Sequence, residues 1–107
     1  MELTGKNVFI TGSTRGIGAA VALAFAKAGA NIVLNGRKAI PEEKINEIKA
    51  QGVNCIGVSG DISDYEKAGL MVEEAEKQLG SIDILINNAG ITNDKLLMRM
   101  SAEDFKA

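Results

Sequence analysis

Eight consecutive residues, Thr11-Gly12-Ser13-Thr14-Arg15-Gly16-Ile17-Gly18, carry three glycines at G-x3-G-x-G spacing. They lie between a short apolar run, Val8-Phe9-Ile10, and a longer amphipathic stretch. A glycine turn leading from a strand into a helix points free backbone N–H groups, backed by the positive end of the helix dipole, at an anion. Gly12 permits the tight exit from the strand. Gly16 removes a side chain where backbone must approach a phosphate, and Gly18 lets the helix pack close to the sheet. The chemistry implied is the binding of a pyrophosphate. The spacing differs from G-x-G-x-x-G, and no G-K-[ST] follows, so this is not a Walker loop. A glycine-rich loop without a ligand is the plainer alternative, and the strand-to-helix context disfavours it.

The second apolar run, Ile32-Val33-Leu34, ends in Asn35-Gly36-Arg37-Lys38. An Asp or Glu about 20 residues past the glycine turn would hold a ribose 2′-hydroxyl. No acid stands there, and Arg37 lies at about that distance. Arg15, inside the loop, supplies a second guanidinium. Two such groups suit a 2′-phosphate through forked, charge-assisted hydrogen bonds, which favours NADP over NAD. Either arginine alone would read as a solvated surface residue. After the third run, Asp61 could accept from an adenine amino group while Ile62 packs on its ring; taken alone, Asp61 reads as a turn residue. After the fourth, Asn87-Asn88-Ala89-Gly90 leaves room for a cofactor, and an Asn side chain there can tie neighbouring strands together. An Asn-Gly hairpin turn is the alternative, but no alternating strand follows to complete it.

These motifs need elements to place them. Val8–Ile10, Ile32–Leu34, Cys55/Ile56/Val58 and Ile84–Ile86 read as strands, and consecutive apolar residues suit strands covered on both faces. Three helices are predicted between them. The first starts near Gly16, turns Ile17, Val21, Ala24, Phe25 and Ala28 inward, and ends at Gly29. The second opens at Pro41, buries Ile45 and Ile48, and ends at Gly52. The third opens on the capping box Ser63-Asp64-Tyr65-Glu66, buries Ala68, Met71, Val72, Ala75 and Leu79, and ends at Gly80. The order β-α-β-α-β-α-β predicts an α/β, Rossmann-like, doubly wound parallel sheet of strand order 3-2-1-4. The first two helices should cover one face and the third the other. Ser101, with Glu103 and Asp104, reads as the start of a further helix. A six-strand dinucleotide fold needs two more strands, so residues 1–107 are expected to be the N-terminal portion of one larger domain, truncated after the fourth strand. Strand four would then be an unpaired edge, which predicts self-association.

Composition narrows the field. The 107 residues carry 12 basic and 14 acidic side chains. That leaves no basic excess to drive nucleic-acid binding. With no His and one cysteine, Cys55, the chain has neither an internal disulfide nor the donors of a usual zinc site. Every Ser-His-Asp or Cys-His mechanism is also excluded. No apolar stretch nears the roughly 20 residues of a membrane span, and MELTGKNVFI is not a signal peptide. A cytoplasmic setting is expected.

TGSTRGIG, GDIS and NNAG, in this order and spacing, resemble the short-chain dehydrogenase/reductase family over essentially the whole chain. The segment Asn87 to Phe105 is similar to the bacterial 3-oxoacyl-[acyl-carrier-protein] reductases. The resemblance implies that Gly12, Gly16 and Gly18 carry the dinucleotide phosphates of NADP, with Ser13, Thr14, Arg15 and Ile17 in the same cofactor-binding loop. Arg15 and Arg37 would read the 2′-phosphate, and Asp61 and Ile62 would hold adenine. Asn88, Ala89 and Gly90 would line the ribose side, with Asn87 bracing the sheet. It further implies NADPH-dependent reduction of a 3-oxoacyl group on acyl carrier protein, in fatty acid biosynthesis, by a tetramer. Arg99 could meet the acidic carrier.

The family's catalytic Ser, Tyr-x-x-x-Lys and helix Asn find no match. The single tyrosine, Tyr65, has Gly69 four residues on, and Asn93 does not match the helix Asn. No catalytic residue is assigned, and this chain alone is expected not to turn over. A non-catalytic nucleotide-binding module and a related alcohol or sugar dehydrogenase are the competing readings.

Overall fold

The computed structural model describes residues 3–60, 65–88 and 97–99. The elements follow in the order β1 (Asn7–Ile10), α1 (Gly16–Lys27), β2 (Asn31–Gly36), α2 (Glu42–Lys49), β3 (Cys55–Ser59), α3 (Tyr65–Leu79), β4 (Ile84–Asn87) and β5 (Leu97–Arg99). They form one sheet of order β3-β2-β1-β4-β5. The first four strands are parallel, with Phe9 opposite Val33 on one side and Leu85 on the other. The strand order 3-2-1-4 is as the sequence predicts.

Central β1 is apolar because it is covered twice. Val8, Phe9 and Ile10 are all fully buried, and alternate side chains enter different layers. Val8 and Ile10 pack with Ile32, Leu34, Ile84 and Ile86 beneath α1 and α2. Phe9 packs with Val33, Leu85, Met71, Val72 and Ala75 beneath α3. Burying each large side chain contributes on the order of 1.5–3 kcal/mol. The helices are therefore distributed two on one face and one on the other, as expected.

α1 departs from expectation in its rotation. Gly18, Ala22 and Ala26 are buried against the sheet. Ile17 is 60% exposed, Ala24 is exposed, and Val21 and Phe25 only flank the core. The apolar stripe in sequence is not the contacting stripe. Small residues at i, i+4 and i+8 let the helix axis come close to β1, and that close approach decides the rotation. Gly29 ends the helix at φ 99°, with Ala30 N–H donating back to the Phe25 carbonyl at 3.1 Å. α2 and α3 keep the predicted inner faces at Ile48, Met71, Val72 and Ala75. The residues Ser63 and Asp64 of the predicted capping box, and the expected helix start at Ser101, lie outside the described residues.

The expectation that strand four is an unpaired edge is overturned. β5 pairs with β4 antiparallel, in the register Leu85–Arg99, Ile86–Met98 and Asn87–Leu97. An open edge presents a row of N–H and C=O groups that any extended segment can satisfy, and here the chain itself supplies it. The short apolar run at residues 97–99 is a strand that sequence reading missed.

An asparagine ladder closes the sheet at the end remote from the glycine turn. Asn7 N–H donates to the Asp83 carboxylate at 2.8 Å, and Asp83 N–H donates to the Asn7 carbonyl at 2.9 Å. Asn31 Nδ2 donates to Asn7 Oδ1, and Asn54 N–H donates to Asn31 Oδ1, both at 3.0 Å. These bonds fix the strand starts, leaving the strand ends to build the site.

Candidate nucleotide-binding site

The C-terminal ends of β1, β2, β3 and β4 meet at the glycine turn. Gly12 adopts φ 57° and Gly16 φ 63°, the left-handed region in which a side chain is strained. Between them the chain reverses out of β1 and enters α1. Gly18 faces back onto the turn, where an added Cβ would collide with the Gly12 carbonyl and lie 2.7 Å from Asn88 Nδ2. The close helix approach expected of Gly18 is thus present. Gly16 is the opposite case, with no atom of the described residues within 4 Å of an added Cβ. The space in front of it is open.

The turn is held by polar side chains from two neighbouring strands. Buried Ser13 donates from Oγ to the Ile10 carbonyl at 2.7 Å and accepts there from Asn35 N–H at 2.8 Å. Ser13 N–H donates to the Asn35 carbonyl at 2.8 Å, and Gly12 N–H donates to Asn35 Oδ1 at 3.0 Å. From β4, Asn88 Nδ2 donates to the Gly12 carbonyl at 3.1 Å, and Asn88 N–H donates to Thr11 Oγ1 at 2.8 Å. Thr11 Oγ1 lies 3.1 Å from Asn87 Oδ1, to which it donates. Both asparagines of the NNAG motif therefore brace the sheet, Asn88 more directly than Asn87.

This bonding sorts the backbone donors. The N–H groups of Gly12 and Ser13 are engaged inside the protein. Among the described residues, those of Thr14, Arg15, Gly16, Ile17 and Gly18 meet no protein acceptor; the first helical bond of α1 runs from Ala19 N–H to the Arg15 carbonyl. Five amides at the start of a helix, beside the open face of Gly16, are suited to a phosphate-type anion. Ser13 and Gly12 contribute shape rather than donors.

The β2 end lies against the same turn. An added Cβ at Gly36 would lie 3.0 Å from Thr14 Cγ2, so the two loops touch there. Each is followed directly by an arginine, Arg15 and Arg37, and both are exposed. Arg15 is extended at the α1 N-cap and makes no side-chain capping bond. At the β3 end, Gly60 N–H donates to the Gly36 carbonyl at 2.8 Å, which places the chain leading to Asp61 beside β2. Asp61, Ile62, Ala89 and Gly90 lie outside the described residues. Among the described residues no group of three or more His, Cys, Asp or Glu is placed to hold a metal ion.

Sequence reading noted Asn35 only for its want of charge. It is 1% exposed at the end of an otherwise apolar strand. An asparagine in such a run requires buried partners, and that signal was available.

Residues 6–107 match the short chain dehydrogenase family. The chain belongs to that family. It is 41% identical over 107 residues to the 3-oxoacyl-[acyl-carrier-protein] reductase FabG of Staphylococcus aureus (strain Mu50), an alignment covering 98% of this chain and 43% of the relative. It thus spans less than half the length of the curated relatives it matches. Among solved structures it resembles a blue fluorescent protein from a metagenomic library in complex with NADPH, with a TM-score of 0.77 and 37% identity, covering 85% of this chain and 38% of the other. The NADH-dependent reductase A1-R′ complexed with NAD is similar at TM-score 0.77 and 35% identity, over 84% of this chain and 38% of the other. The doubly wound reading of the sequence is the fold of this family.

Proposed function

We propose that residues 1–107 form the nucleotide-binding portion of an NADPH-dependent short-chain reductase, with a 3-oxoacyl group on acyl carrier protein as its substrate. The observation that carries this reading is the set of five amides, Thr14 to Gly18, that meet no acceptor among the described residues at the start of α1, beside Gly16. That geometry fits a dinucleotide diphosphate. Arg15 and Arg37 supply the 2′-phosphate contacts, and no carboxylate stands between Asn35 and Lys38 to favour a ribose 2′-hydroxyl. Similar folds carry NADPH in one case and NAD in another. The choice of NADP for this chain therefore rests on its own arginines.

Asp61 and Ile62 hold the adenine in this reading, and Asn88, Ala89 and Gly90 the adjoining ribose. Ile17, exposed beside the turn, offers an apolar surface to the dinucleotide. NADPH supplies the hydride when bound. This chain binds and orients it but carries no group for proton transfer, since Tyr65 is followed at the fourth position by Gly69. The acyl carrier substrate is taken from the likeness to the Staphylococcus aureus reductase. A cytoplasmic protein that assembles with copies of itself completes the proposal; no helix among the described residues is long and apolar enough to cross a membrane.

Calorimetric titration with NADP+ and NAD+ tests the cofactor. NADP+ should bind the tighter of the two, and equal affinities would contradict the 2′-phosphate assignment. A turnover assay with NADPH and a 3-oxoacyl thioester should show no activity from the 107 residues alone.

A further inference from the structure

The Asn35 side chain touches three parts of the nucleotide site. Its Oδ1 accepts from Gly12 N–H at 3.0 Å. Its Nδ2 donates to the Val58 carbonyl at 3.0 Å and lies 3.4 Å from the Gly60 carbonyl, both on the far side of β2. Its backbone closes a two-way clasp with Ser13. Only one orientation of the amide satisfies this, with oxygen toward the glycine turn and nitrogen toward the end of β3. A carboxylate would set a second oxygen against two carbonyls, and an aliphatic side chain would leave the partly buried Gly12 N–H without this acceptor.

We infer that Asn35 is a positioning residue for the nucleotide, acting through Gly12 and Gly60 rather than by contact. This rests on the reading of the glycine turn as a diphosphate site. By engaging Gly12 N–H, Asn35 fixes the turn at the point where it enters the left-handed region, so that the amides of Thr14 to Gly18 are left for the ligand. By engaging Val58 and Gly60 it sets the gap between the turn and the end of β3, the span between diphosphate and adenine. A site held at that spacing before the ligand arrives loses less freedom on binding. Without the side-chain amide, Gly12 N–H must turn toward another acceptor, and the amides of Thr14 to Gly18 move with it.

Val and Thr have the same shape and differ by one hydroxyl, so Asn35→Val and Asn35→Thr form the test. The probes are 2′,5′-ADP, which spans the adenosine half without nicotinamide, and NADP+. Titrations run well below the melting temperature of each variant, so that only folded protein is read. Asn35→Val should weaken both probes about 10-fold, as expected when a partly buried donor loses its acceptor. It should also shift the Gly12 amide resonance. Asn35→Thr, which restores an oxygen acceptor one bond nearer the backbone than Asn35 Oδ1, should recover part of the affinity. If Asn35→Val does not fold, Asn35→Thr carries the test, with weaker binding than wild type expected. Wild-type affinity in the folded variants would overturn the role of Asn35 alone. Failure of the wild type to bind either probe would overturn the reading of the site, and this inference with it.

Discussion

The Asn88 side-chain amide donates to the Gly12 carbonyl at 3.1 Å, joining the end of β4 to the glycine turn across 76 positions of sequence. The same Nδ2 stands 2.7 Å from where a Cβ on Gly18 would be, so turn, helix and strand meet at one point. Asn88→Ala should destabilise the fold by about 1–2 kcal/mol, the usual cost of leaving a partly buried carbonyl unpaired. Urea unfolding is the measurement. Asn46→Ala, on the exposed side of α2, is the control and should fall within about 0.5 kcal/mol of wild type.

Gly18 and Gly16 should separate fold from ligand. In Gly18→Ala the new methyl meets the Gly12 backbone, which cannot swing aside as a side chain can. Overpacking of this kind costs about 1–3 kcal/mol. In Gly16→Ala the methyl meets nothing among the described residues, and the cost is the left-handed strain of φ 63°, about 1–2 kcal/mol. The methyl does, however, occupy the space assigned to the diphosphate. Dinucleotide binding by folded Gly16→Ala should therefore be lost, whereas unchanged affinity would place the phosphates elsewhere.

Arg37 is exposed and follows the residue that touches Thr14. Arg37→Asp exchanges a 2′-phosphate partner for a group suited to a ribose 2′-hydroxyl. The ratio of NADP+ to NAD+ affinity should fall at least 10-fold, about 1.4 kcal/mol. An unchanged ratio would remove Arg37 from the site.

Cys55 is buried on β3, and desolvation pushes its thiol from 9.0 up to about 12, with nearby Lys49 acting weakly against this. The folded state thus holds the thiol proton more tightly than the unfolded chain. This contribution is complete below pH 9 and is lost as the pH rises toward 12. Between pH 8 and 10.5 wild type should lose more stability than Cys55→Ala in paired urea titrations. Equal losses would show that the thiol is not desolvated. Alkylation of Cys55 at pH 8 should likewise be slow in the native protein and fast in urea.

The legible parts of the chain were those fixed by local chemistry. Apolar runs such as Val8–Ile10 and Ile32–Leu34 suit strands in a doubly covered sheet, and Gly29, Gly52 and Gly80 all take positive φ at the helix ends predicted for them. The glycine turn was readable because positive φ and close approach leave few other residues possible. What sequence hid depends on distance in space. The rotation of α1 follows from how near Gly18 must come to Gly12, which no helical stripe encodes. β5 is three residues long and exists because β4 offers it an edge. Asn35 and Asn88 are small polar residues whose worth lies in partners more than 20 positions away.

The central claim is that the amides of residues 14–18 hold a dinucleotide diphosphate. The most direct test is an NADP+ titration of uniformly 15N-labelled protein, followed by its amide resonances. Large, saturable shifts are expected at Thr14, Arg15, Gly16, Ile17 and Gly18, with smaller ones at Gly12 and Ser13, whose N–H groups keep their bonds to Asn35. A spectrum unchanged across residues 12–18 at saturating NADP+ would contradict it.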